Sequence, residues 1–136
     1  MAERKPLVFA CAGCSFAGKL AYDLAREIDR RGDAEMSCLA GVGAKHPSFL
    51  RKLKGREAWI IDGCPIECAG GVFKQVERDA QRHIKLHELG FKKNFEPEGG
   101  VDISRLAEHV AHAQTEVPTM QHAGATANLS SNGEDR

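Results

Sequence analysis

Hydrophobic positions recur along this chain with two alternating periods. Residues 6–11 (PLVFAC) are apolar, β-prone and opened by a proline, which predicts a short buried strand. The turn CAGCS follows, and Ser15 can cap a helix running to about Arg31. In that helix Leu20, Leu24 and Ile28 recur every four residues. Ala17, Ala21 and Ala25 beside them allow close packing on a sheet, and Gly32 suits the C-cap. Residues 34–41 (AEMSCLAG) predict a second strand. Pro47 then opens a short helix whose packed face is Phe49, Leu50 and Leu53. Ala58-Trp59-Ile60-Ile61-Asp62 predicts a third buried strand, and residues 65 to about 80 a third helix.

Residues 83–90 (HIKLHELG) alternate polar with apolar, which predicts an edge strand with one wet face. FKKNFEPEGG reads as a loop, and Asp102 caps a final helix to about Gln114. Strands alternating with helices at this spacing imply an α/β fold. We expect a three-layer Rossmann-like domain with a four-stranded, mainly parallel sheet over residues 5–114. Residues 115–136, rich in Ala, Thr, Ser, Asn and Gly and without pattern, are expected to form a disordered tail.

Composition narrows the partners. The chain has 136 residues, enough for one domain with a real core, and its 19 basic residues balance 19 acidic ones. Charge therefore gives no case for nucleic acid or an anionic membrane. No apolar run reaches the roughly 20 residues needed to span a bilayer. The charged start, with its apolar run broken by Gly and Cys, argues against a cleaved signal peptide, so a cytoplasmic location is expected. Five cysteines form an odd set, unsuited to a closed disulfide framework. In a reducing compartment clustered thiols bind metal or do redox chemistry.

Ligands of open parallel sheets bind beyond the C-terminal strand ends. Cys11, Cys38 and Cys64 all fall there, and Cys68 lies a helical turn beyond Cys64. Thiolates suit zinc, and a helix N-terminus favours thiolate. Buried cysteines acting as small hydrophobes are the bland alternative for any one of them, though less so for four on one rim.

The segments PLVFACAGCS, AEMSCLAGVG, AWIIDGCPIECA and HIKLHELGFKKNF together resemble the DGC-domain family of zinc-binding proteins. The family is named for the tripeptide present here as Asp62-Gly63-Cys64. The match spans roughly residues 6–96. It implies a zinc site made by Cys11, Cys38, Cys64 and Cys68, with Cys14 a candidate fifth ligand or exchange partner, and it leaves the biological role undefined.

Other readings compete. Cys11/Cys14 or Cys64/Cys68 could act as a thiol-redox or sulfur-transfer pair, and four cysteines could equally hold an iron–sulfur cluster. GCSFAGKL (13–20) has phosphate-loop spacing, but Leu20 stands where a hydroxyl should meet magnesium. His83 and His87, like His109 and His112, fit exposed polar positions better than ligand positions. Asp62 is expected to accept backbone N–H groups and orient the site with Gly63, while Gly41, Gly43, Gly70 and Gly71 are expected along the same rim. His46 is a weak pocket candidate. An unidentified small molecule or protein is the expected partner at the rim, and no catalytic residue is assigned.

Overall fold

The computed structural model describes residues 4–120. In chain order it runs β1 (Leu7–Ala10), α1 (Phe16–Arg31), β2 (Glu35–Met36), α2 (Leu39–Gly43), α3 (Pro47–Leu53) and β3 (Ala58–Asp62). Then come α4 (Cys68–Gln75), β4 (Arg82–Lys85), a 3-10 turn (Leu86–Leu89) and α5 (Ile103–Met120). The four strands form one sheet in the order β2-β1-β3-β4, and each neighbouring pair is parallel. The α/β expectation holds, and the sheet is parallel throughout.

Alternation along the central strands supplies a core on each face. Val8, Ala10, Trp59 and Ile61 point to α1 and α5 and pack with Leu20, Leu24, Ile28, Ala107 and Val110. Leu7, Phe9, Ala58 and Ile60 point to α2, α3 and α4, where Phe9 meets Phe73 edge to face at 5.2 Å. Arg82 ties the edge strand to α5: its guanidinium lies 4.6 Å over the Trp59 ring and donates to the Val110 carbonyl at 2.9 Å. Desolvation there holds it below the ordinary arginine range. Among the described residues no helix is long and apolar enough to cross a membrane.

Helix α1 has its expected ends. The Ser15 hydroxyl accepts from the Gly18 N–H at 3.1 Å, and Gly32 turns left-handed at φ 86°. Four elements have bounds that differ from the sequence reading. The strand expected over 34–41 stops at Met36, because Cys38 becomes the N-cap of α2. Helix α4 begins at Cys68, three residues late, because Glu67 stands at φ 54°. β4 ends at Lys85, whose partner Asp62 is the last residue of β3, so no ladder remains for His87 or Leu89. Finally, α5 continues past Gln114 to Met120. The rest of the expected tail, residues 121–136, lies outside the described residues.

The order β2-β1-β3-β4 sends the chain outward in opposite directions from β1 and β3. That reversal opens a crevice at their C-terminal ends, where such folds take their ligands.

Candidate metal centre

Cys11 is the first residue past β1. Its N–H still donates to the Ile61 carbonyl at 3.1 Å, which fixes it against the end of β3, and its side chain packs against both cores. Ala12 then turns left-handed at φ 46°, and Cys14 is exposed in the turn before α1. Cys38 stands two residues past β2 as the N-cap of α2, and its sulfur accepts the Gly41 N–H at 3.3 Å. Cys64 stands two residues past β3 and is half-buried, whereas Cys68 is the first residue of α4 and is exposed. All five thiols are free.

Cys11, Cys64 and Cys68 converge. The Cys68 thiol is pushed above its ordinary range, first by desolvation, then by the negative potential of Asp62, Cys11 and Cys64, with Lys93 pulling the other way. Neither Cys14 nor Cys38 acts on it there. Among the described residues no three His, Cys, Asp or Glu side chains already form a ligand set for one ion.

The loop from Cys64 to Cys68 is held by carboxylates. Asp62 is fully buried and accepts from the Ala69 N–H at 2.7 Å and the Gly70 N–H at 3.0 Å. It therefore caps α4 from outside, since Glu67 at the N-cap position makes no capping bond of its own. His83 Nε2 lies 2.8 Å from Asp62 Oδ2; a carboxylate only accepts, so this nitrogen carries the proton. Glu67 turns outward, with His87 Nε2 at 3.0 Å and Lys85 Nζ at 3.6 Å. His83 and His87 are thus bound to carboxylates, not merely solvated as the sequence suggested. His109 and His112 lie on the exposed side of α5. His46 precedes α3 and leans on the Phe49 ring.

Gly63 explains its own identity. A methyl there would fall on the Ala17 carbonyl, 2.5 Å from its carbon, so only glycine lets the loop pass the first turn of α1. Gly41 instead faces the Phe49 ring and serves helix packing.

The phosphate-loop reading finds its donors already used. The Ala17 N–H donates to the Lys93 carbonyl at 2.9 Å and the Gly18 N–H to Ser15, while Lys19 pairs outward with Asp23 at 2.8 Å. A groove of about 740 Å³ lies between α4 and β4, bounded by Ile60, Ile66, Gly70 and His83, and no thiol lines it.

The profile of the DGC domain matches residues 7–113. This chain belongs to the DGC-domain family. A curated relative, the anaerobic and virulence modulator AnvM of Pseudomonas aeruginosa PAO1, is 45% identical over 91 residues, which cover 66% of this chain and 70% of AnvM. No solved structure matches. Membership of the DGC-domain family supports a metal-binding protein of undefined role. The tripeptide that names the family divides three tasks among its residues. Asp62 caps α4, Gly63 clears α1, and Cys64 presents a half-buried thiol that, with Cys11, acts electrostatically on Cys68. Clues to Glu67, His83, His87 and Lys93 were absent from the sequence pattern alone. Strand register would have exposed His83, because Ile60 pairs with it and Asp62 shares the face of Ile60.

Proposed function

We propose that the protein binds one zinc ion through Cys11, Cys38, Cys64 and Cys68, with Asp62 and Gly63 orienting the loop and Cys14 as an exchange partner. The supporting observation is that Cys11, bonded to the Ile61 carbonyl at the end of β3, Cys64 just past that strand and Cys68 at the start of α4 lie at one end of the sheet, where desolvation and then Asp62, Cys11 and Cys64 raise the Cys68 thiol. A site that disfavours a further negative charge is one that a divalent cation relieves. Thiols are also the donors zinc prefers, and Gly41 N–H on the Cys38 sulfur is the kind of outer contact that steadies a ligand. Four thiolates would close the shell, which suits a structural or sensory ion better than a catalytic one. Free thiols of this kind persist in a reducing compartment, so the cytoplasm is the location this reading needs.

A thiol-redox role, or an iron–sulfur cluster on the same cysteines, is the second reading. Free thiols converging at one rim favour it, as does the relative's name, which links AnvM to anaerobic modulation.

Elemental analysis of protein purified without added metal, with a thiol count before and after chelation, tests both. About one zinc per chain, with four thiols released only by chelator, is the expected result. Iron with a brown colour, or metal-free protein whose thiols appear only after reductant, would overturn zinc in favour of the second reading.

A further inference from the structure

We propose that His83 is a positioning residue for the cysteine site, acting through Asp62 on the first turn of α4; this rests on the thiol-site reading above. Asp62 is completely buried, and a buried carboxylate is tolerable only when its oxygens are met by donors. Two donors are the Ala69 and Gly70 N–H groups of α4. The third is His83 Nε2, which comes from the edge strand β4. The same oxygen, Oδ2, serves both Gly70 and His83.

The fit of the ring is specific. A methyl on Gly70 would stand 2.8 Å from His83 Cε1 and 3.5 Å from Nε2, so the imidazole occupies the space that glycine leaves beneath the helix. Glu67, at φ 54° and without a capping bond, gives α4 no start of its own. The placement of Cys68, the first residue of α4, therefore follows a chain of contacts from β4 through His83 and Asp62 to the Ala69 and Gly70 amides. His83 touches no thiol; it fixes the carboxylate that fixes the helix end carrying one.

The test compares wild type with His83→Leu, His83→Gln and Gly70→Ala. Zinc affinity is read by competition with a chromophoric chelator, and amide exchange of Ala69 and Gly70 is read in metal-free protein. A partner in direct contact with a metal ligand is worth about 10–100-fold in metal affinity, and His83, acting one contact further out, should cost up to about 10-fold. His83→Leu should show that loss and faster exchange at Ala69. Gly70→Ala, which displaces the ring without removing any polar group, should do the same. His83→Gln, which returns an N–H donor near Nε2, should restore both readouts, something a mere packing role would not do. Unchanged zinc affinity in His83→Leu, or a His83→Gln protein as weak as His83→Leu, would overturn the proposal. Wild type that takes up no zinc would refute the metal reading separately. The exchange data would then decide His83 alone, and unchanged protection of Ala69 in His83→Leu would refute its role.

Discussion

Replacing Gly63 by alanine adds one methyl group at the tightest approach between the cysteine loop and α1. Gly63 is not in the left-handed region, so the cost is steric and not conformational. The new carbon would lie on the Ala17 carbonyl, 2.5 Å from its carbon and 2.9 Å from the Ala17 side chain, whereas ordinary contact begins at 3.4 Å. Two of these neighbours are backbone, and they cannot rotate away as a side chain would. The peptides on both sides of Ala17 are held, by the Ala17 N–H bond to the Lys93 carbonyl and the Gly18 N–H bond to the Ser15 hydroxyl, so relief requires moving the start of α1 or the end of β3. Overpacking costs about 1–3 kcal/mol, and rigid neighbours place Gly63→Ala near the top of that range. At roughly 4 °C per kcal/mol for a domain of this size, about 3 kcal/mol lowers the melting temperature by about 12 °C. Gly71→Ala is the control. It sits in α4 with nothing within 4 Å of the added carbon, so helix propensity should make it more stable by up to about 1 kcal/mol. Circular dichroism melts of both variants in chelator supply the measurement. A Gly63→Ala protein melting with wild type would refute the steric account.

Two further outcomes follow from local contacts. Ser15→Ala removes the hydroxyl that accepts the Gly18 N–H and should cost about 1 kcal/mol in urea unfolding; no change would mean that water caps α1 equally well. Glu35 is held below its ordinary 4.5 by hydrogen bonds from Lys52 and Arg56, so its ion pairs stabilise the fold above that value. The contribution is lost as pH falls through the depressed folded value. Because Glu35 is 41% exposed, solvent screening keeps this below about 1 kcal/mol. Glu35→Gln should therefore be slightly less stable than wild type near neutrality and equal to it in acid; a gap that persists in acid would refute the assignment.

The central strands and α1 were legible because burial on both faces leaves an unbroken apolar run and the caps punctuate it. Where the reading failed, a neighbour decided the outcome. Leu86 and Leu89 continue the alternation of β4, but β3 has ended by then and the chain curls into a 3-10 turn. Leu39 and Val42 fit a strand as well as a helix, and the bond from Gly41 to the Cys38 sulfur selects the helix. For the site, chain order alone put Cys11, Cys38 and Cys64 at strand ends. His83 was misjudged because its partner Asp62 lies 21 residues away, on a neighbouring strand whose register a linear pattern does not encode.

The brevity of β2 gives the rim two halves of unequal persistence. β1 and β3 share four register pairs, and β3 and β4 another four, so Cys11 and Cys64 ride on the part of the sheet that opens last. Cys38 hangs from a strand with two such pairs at the sheet's edge, steadied by the half-buried Glu35 ion pairs and the Met36 N–H bond to Asp29. Local unfolding begins where ladders are short and solvent is near, so the β2–α2 corner is the cooperative unit that breathes first. The Cys38 thiol is carried on that corner, so its position depends on a less persistent part of the sheet than the positions of Cys11 and Cys64 do.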